Sequence, residues 1–373
     1  MGRLASEDHL CLIRCRQRSG ALNTLDRTIS RIKPLDREAM ELAHARQDTL
    51  TKPRGSLGRL EELSIQVAGI TGQAPPKIED KVIVIMVGDH GVTAERVSSY
   101  PSEVTAQMVY NFLREGAAIN VLAGHVGARV LVVDIGVAQE LEPHPKLMSR
   151  KVALGTSNMA HGPAMSREEA IRAVEVGIEV VERELARGMD ILGAGDMGIG
   201  NTTPSSAIVA ALIGAPVAQV TGRGTGIGDE QLQHKVKVIE RALMLNRADP
   251  DDPLDVLAKV GGFEVGGIAG VILGAAAHHI PVVIDGFISG AGALIAVGLS
   301  SQVGDYLIAA HRSVEVGHRL VLERLGLAPL FDLNLRLGEG TGAALGICLV
   351  EAAVKILTEM ATFAQAGVAQ ALE

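Results

Sequence analysis

Three times along this chain an apolar run stops at a glycine-rich turn, and helical spacing begins after it. Lys81 to Val87 ends in Gly88-Asp89-His90-Gly91, and the run before Gly193 ends in Gly193-Ala194-Gly195-Asp196-Met197-Gly198. A third apolar stretch ends in Thr221-Gly222-Arg223-Gly224-Thr225-Gly226-Ile227-Gly228. Short, unbroken Val/Ile runs mark strands buried on both faces, as in parallel sheets. Parallel strands need crossover helices, which cover both faces of the sheet.

The remaining periodicity agrees. Strands are read at 81–87, 128–135, 189–192, 281–284 and 305–309. Helices are read at 102–123, 166–187, 202–213, 229–246, 291–299 and 341–366. Ser166 and Glu169 make a Ser-x-x-Glu start signal for the second of these. Residues 35–71 are helical, with a break at Lys52-Pro53-Arg54-Gly55-Ser56-Leu57-Gly58. The Gly/Ala-rich segment 265–277 is shorter than the roughly 18 to 20 residues of a membrane span and reads as a buried helix. The expected fold is a three-layer α/β/α arrangement with a mostly parallel, doubly wound sheet and a small helical domain. Residues 79–340 are assigned to the large α/β domain, and residues 35–78 and 341–373 to the small one. Residues 1–34, polar and mildly basic, are expected to be a poorly ordered extension.

Composition removes several function classes. Hydrophobic residues make up 47% of the 373 but aromatics only 2%, so the core must be built from Ala, Val, Ile and Leu. A net charge of −8 and the lack of Trp leave neither basic tracks nor stacking platforms for nucleic acid. Cys11, Cys15 and Cys348 form no disulfide framework and suit a reducing cytosol. No secretory signal is visible, so a cytoplasmic protein without membrane or nucleic-acid partners is expected.

The chemistry gathers at the glycines. In Arg336-Leu337-Gly338-Glu339-Gly340-Thr341-Gly342 a carboxylate stands between glycines, with no basic residue from 337 to 354. Desolvation there should raise its pKa and suit it to proton abstraction, so Glu339 is the candidate general base. Gly198-Ile199-Gly200-Asn201-Thr202-Thr203 enters a helix and offers bare N–H groups and two hydroxyls, an anion cradle or a Thr-capped turn. The 221–228 cluster supplies a second nest, and Lys235 follows about two turns into the next helix. Two nests and one cation suit a single monophosphate. Gly193, Gly195 and Gly198 formally match G-x-G-x-x-G. No carboxylate stands about 20 residues on to hold a ribose, which weakens an NAD-dependent oxidoreductase reading. No P-loop motif occurs. The histidines show no metal-ligand spacing, so no metal is expected. Ser99, Tyr100 and Gln107 offer hydrogen bonds and one flat ring to a planar heteroaromatic ligand.

These segments, in this order, resemble the nicotinate-nucleotide:dimethylbenzimidazole phosphoribosyltransferases. The carriers run from about Leu50 onward: Lys52-Pro53-Arg54-Gly55-Ser56-Leu57-Gly58, Gly88-Asp89-His90-Gly91-Val92, Tyr100-Pro101 with Val104-Thr105 and Gln107-Met108, the 198–203 turn, Asp285-Gly286-Phe287, His311 with Ser313, and 337–342. The resemblance implies transfer of ribose 5-phosphate from nicotinate mononucleotide to 5,6-dimethylbenzimidazole, with Glu339 as general base. It implies a homodimer and no cofactor. It places Ser99, Tyr100, Gln107 and Leu337 around the benzimidazole. Gly198, Asn201, Thr202, Gly222, Arg223, Gly224 and Lys235 fall on the nucleotide, Lys235 at its phosphate. Asp196 falls where the family pattern more often carries Glu, one methylene longer, and is carried over as a second catalytic carboxyl. The aromatic base stays open: adenine, plain benzimidazole or a phenol would also fit a small apolar pocket. A non-catalytic nucleotide-binding protein of the same fold is the remaining alternative.

Overall fold

The computed structural model describes residues 23–369. Six strands, β1 (Lys81–Gly88), β2 (Ala128–Gly136), β3 (Leu147–Ser149), β4 (Ile191–Met197), β5 (Val282–Ile284) and β6 (Leu307–Ala309), form one sheet. Its order is β3-β2-β1-β4-β5-β6, and every neighbouring pair is parallel. From β1 the chain winds outward through β2 and β3, then returns to β4 on the other side. The switch point therefore lies between β1 and β4, where ligands collect outside the strand carboxyl ends in such sheets.

Alternate side chains of β1 enter two cores. Val82, Val84 and Met86 join helices Arg167–Leu185 and Phe263–Ala277 through Val174, Ile268 and Ile272. Ile83, Ile85 and Val87 join the opposite core, with Leu63, Val109, Ile119 and Ile347. This is the period of two expected of a strand, with both faces covered. Few aromatics are needed because glycines let the helices approach closely. A Cβ at Gly177 or Gly270 would collide with the facing helix backbone.

Helix Thr341–Glu359 is long and apolar enough to cross a membrane. Here its Ala343, Ile347, Val350 and Val354 are buried against the sheet. Its far end packs against the N-terminal helices, Leu357 meeting Ala43 and Ala68. An ion pair at 2.7 Å ties Glu351 to Lys81 at the start of β1.

Several boundaries differ from expectation. Cys11 and Cys15 lie outside the described residues. Of the extension read over 1–34, residues 1–22 lie outside the described residues, and over 23–34 the expectation of poor order fails: Thr24–Arg31 is a helix capped by Asn23, and Leu25 and Ile32 are buried in the main core. That segment carries only a few apolar residues, and the helices that cover them lie far away in sequence. The 102–123 pattern is two helices, Glu103–Leu113 and Ala118–Val126, because Glu115 takes a positive φ at the break. Strand β3 and helices Pro253–Val260 and Val316–Leu325 were not read, being short. Strand β4 runs on through Gly193, Gly195 and Asp196, residues read from the sequence as a turn.

Candidate active site

A cavity of about 510 Å³ opens at the carboxyl ends of β4, β5 and β6, within the size range of small-molecule sites. Its wall includes Tyr100, Asp196, Gly198, Asn201, Thr202, Gly224, Leu337 and Glu339, eight residues read from sequence.

Glu339 is held in an unusual backbone. Gly338, Glu339 and Gly340 have φ of 79°, 63° and 86°, three left-handed residues in succession. Glycine tolerates that region freely, whereas a side chain there is strained. Hydrogen bonds and one steric contact hold the turn. Glu339 N donates to Asp196 O at 3.2 Å, and Thr341 N and Oγ1 donate to Gly338 O. Gly340 N and Ala343 N donate to the Asp285 carboxylate at 3.2 and 3.0 Å. The steric contact is with Gly195, on which the turn lies: a Cβ there would stand 2.6 Å from the Glu339 carbonyl. Gly193 likewise faces Ala343 and Ile347. The first two glycines of the apparent dinucleotide motif thus make room for protein, and offer no phosphate loop for NAD.

The Glu339 side chain is buried, and its Oε2 has no hydrogen-bond partner among the described residues. Burial pushes its pKa up to about 7, against a smaller opposing pull from the Ile119 backbone. Asp285 is also raised to about 7 by burial, although the backbone N–H groups it accepts oppose this. Asp196 is raised well above the ordinary carboxylate range, by burial and then by Asp285 and Glu264. Asn201 Nδ2 donates to its Oδ1 at 2.9 Å, and its Oδ2 is buried without a partner among the described residues. Burial and the neighbouring carboxyls both disfavour the charged form of Asp196. Its shorter side chain is filled out by Asn201.

The two glycine nests meet across Lys235. Its side chain is fully buried, contrary to the usual solvated lysine. Lys235 Nζ donates to Thr202 Oγ1 at 2.6 Å and to Gly222 O at 3.3 Å. Burial lowers its pKa to about 8 while Glu315 pulls it upward. Lys235 and Gly222 stand just behind the cavity wall rather than on it.

Some sequence assignments fall elsewhere. Arg223 is exposed and pairs with Asp229, off the cavity wall. Ser99 and Gln107 are also exposed and off the wall, which Ser98, Val104 and Met108 form instead. On a helix starting at Glu103, Val104 and Met108 share one face and Gln107 sits beside it. Ser99 N donates to Thr225 Oγ1 at 3.1 Å, tying that loop to the second nest.

Other residues carried no role in the sequence reading. Glu315 Oε1 accepts from Gly224 N at 2.9 Å, its Oε2 is buried without a partner among the described residues, and its carboxylate crowds Gly222. Nothing local in the sequence marks it. Asp285 could have been found, since Asp89, Asp196 and Asp285 each stand at or just beyond a strand carboxyl end beside the switch point. His311, stacked on Phe331, and Ser313 line the cavity opposite. Among the described residues no cluster suited to a metal ion is present.

The chain is similar to known proteins along most of its length. A family model described as phosphoribosyltransferase matches residues 32–368. The chain is 62% identical over 352 residues, 94% of its length and 100% of the relative's, to the nicotinate-nucleotide–dimethylbenzimidazole phosphoribosyltransferase of Roseiflexus sp. (strain RS-1). Identity is also 62%, over 350 residues, to the enzyme of that name from Desulforudis audaxviator (strain MP104C), covering 94% of this chain and 99% of the relative. The crystal structure of the protein of that name from Thermus thermophilus superposes with a TM-score of 0.86 at 48% identity, covering 90% of this chain and 100% of that one. The chain belongs to the nicotinate-nucleotide–dimethylbenzimidazole phosphoribosyltransferase family.

Proposed function

We propose that this protein moves ribose 5-phosphate from nicotinate mononucleotide to 5,6-dimethylbenzimidazole, with Glu339 as the general base. The observation that carries this is the unpartnered, desolvated Glu339 carboxyl in the same cavity as the glycine turn backed by Lys235.

The chemistry needs one base. Nicotinate leaves by taking the glycosidic electron pair onto its ring nitrogen, so its departure requires no proton donor. The incoming benzimidazole attacks the anomeric carbon with one nitrogen and gives up the N–H proton of the other. Attack from the opposite face inverts that carbon and yields α-ribazole 5′-phosphate. A carboxylate titrating near pH 7 is deprotonated often enough to accept the proton and basic enough to hold it. The Gly198–Gly200 and Gly222–Gly224 turns suit the phosphate, with Lys235 supplying the charge behind them. Val104, Met108, Tyr100 and Leu337 suit the flat faces of the aromatic base. Holding two reactants in line can supply roughly 7 to 11 kcal/mol of the barrier.

Incubation with nicotinate mononucleotide and dimethylbenzimidazole, followed by chromatography for nicotinate and α-ribazole 5′-phosphate, tests the reading. Binding without turnover would return the protein to the non-catalytic class. The expected homodimer draws support from exposed apolar side chains beside the cavity, Val314 and Val316. Light scattering would check it.

A further inference from the structure

Behind the cavity wall lies a charged pair with no part in the chemistry so far. His90 follows β1 at the switch point, and Glu264 sits in the first turn of helix Phe263–Ala277. His90 Nε2 lies 2.9 Å from Glu264 Oε1, with side chains 1% and 0% exposed. Both ring nitrogens of His90 and both carboxylate oxygens of Glu264 are buried without a hydrogen-bond partner among the described residues, so the two side chains meet as an ion pair by proximity. A buried carboxylate of this kind is tolerated only beside a compensating charge. The imidazole meets that need: burial disfavours its charged form, but Glu264 and Asp89 together outweigh burial and raise its pKa.

Three glycines wall the pair in. A Cβ at Gly262 would stand 2.5 Å from His90 Cε1, and one at Gly88 3.3 Å from Glu264 Oε2. At Gly198 a Cβ would lie 3.1 Å from His90 Nε2 and would collide with Gly88 O. Gly198 thus rests directly on the imidazole while its other side lines the cavity. The pair itself is anchored, because Asp89 N donates to Gly136 O and Asp89 Oδ2 accepts from Ala138 N at the end of β2. From the front, Ile199 N donates to Thr105 Oγ1 at 3.1 Å. The turn is pinned on both sides.

We propose that His90 and Glu264 are positioning residues for the transfer: as a buried imidazolium–carboxylate pair they hold the Gly198–Gly200 turn where it must meet the nucleotide. This inference rests on the functional reading above and extends it to residues that do not touch substrate. The positive ring also lies beneath a site where the Asp196, Asp285 and Glu339 carboxyls gather and a phosphate must still bind. Packing alone would be served as well by two neutral side chains.

The test compares His90→Gln, Glu264→Gln and the double variant with the parent in steady-state assays, normalised to the folded fraction. Each single change should raise KM for nicotinate mononucleotide at least tenfold and move KM for dimethylbenzimidazole less than threefold. The double variant, with no unpaired charge, should be no worse than the worse single. Single variants within twofold of the parent in both KM and kcat would overturn the proposal, as would losses that multiply in the double. Should the singles not fold, histidine ¹⁵N spectra of the parent decide: both His90 ring nitrogens should be protonated at pH 7.5 and shift on adding inorganic phosphate. A neutral ring, or a signal indifferent to phosphate, would also overturn it. A parent that does not turn over this substrate pair would instead remove the functional reading, and the spectra would still judge the pair.

Discussion

Lys235 Nζ donates to Thr202 Oγ1 at 2.6 Å across 33 residues of sequence, and this contact joins two separate glycine turns into one cradle. Thr202 opens a helix at the carboxyl end of β4, while Lys235 lies inside the helix that follows the second turn. A buried ammonium beside N–H-rich turns is a site prepared for an anion.

Lys235→Met, which keeps the buried volume and removes the charge, should raise KM for nicotinate mononucleotide by about 10- to 100-fold, from the roughly 1.5 to 3 kcal/mol of a charge-assisted hydrogen bond. The same lysine gives a pH dependence. Its charged form is lost as pH rises through about 8, so nucleotide affinity in the parent should weaken on the alkaline side. Calorimetric titrations between pH 6.5 and 9.5 should show that slope in the parent and its absence in the variant.

Glu339→Gln should lower kcat by about 10² to 10⁴, the range of general-base contributions, and leave KM for the nucleotide within a few-fold. Because Glu339 must be deprotonated to act, kcat of the parent at saturating nucleotide should rise with pH through about 7 and then level. A parental profile flat from pH 5.5 to 8 would remove the base assignment.

The same substitution should stabilise the fold at alkaline pH. Glu339 has a folded pKa near 7 against 4.5 for the free group, so the folded state binds the proton more tightly. Its favourable contribution is complete below pH 4.5 and is lost as pH rises through 7. Melting temperatures should therefore favour Glu339→Gln at pH 8 and converge with the parent near pH 4.5.

Gly195→Ala should damage catalysis from behind the site. Its Cβ would meet the Glu339 carbonyl carbon at 2.6 Å and Gly340 N at 2.7 Å, and both are backbone that cannot rotate aside. Overpacking of this kind costs about 1 to 3 kcal/mol, visible as a lower urea midpoint. The displaced turn should lower kcat more than it raises KM for either substrate.

Asp285→Ala should strand the Gly340 and Ala343 N–H groups, whose hydrogen bonds the carboxylate now accepts. Leaving buried donors unpaired costs roughly 1 to 3 kcal/mol each. Loss of kcat together with a lower melting temperature is the expected result, read by assay and calorimetry on one preparation.

Much of this was legible in the residues. The Val/Ile runs mark β1 and β2, and Gly-Glu-Gly is visible as an isolated carboxylate between glycines. The apparent dinucleotide motif was misleading because glycine spacing cannot tell room for a ligand from room for a neighbouring chain segment. Here Gly193 and Gly195 admit the 339–343 segment, which lies more than 140 residues away. Gln107 was placed in the pocket by its hydrogen-bonding capacity, but helix phase points Val104 and Met108 there instead.

Local sequence determined the layered α/β class, the phosphate-type turns and the candidate base, since these depend on neighbours a few residues apart. Only the tertiary structure decided that Lys235 is buried and that Glu315 meets the second nest. It also decided that His90 is paired with Glu264 beneath the first nest. Burial and charge compensation depend on which distant segments pack together, and the shifted pKa values of the site follow from that packing.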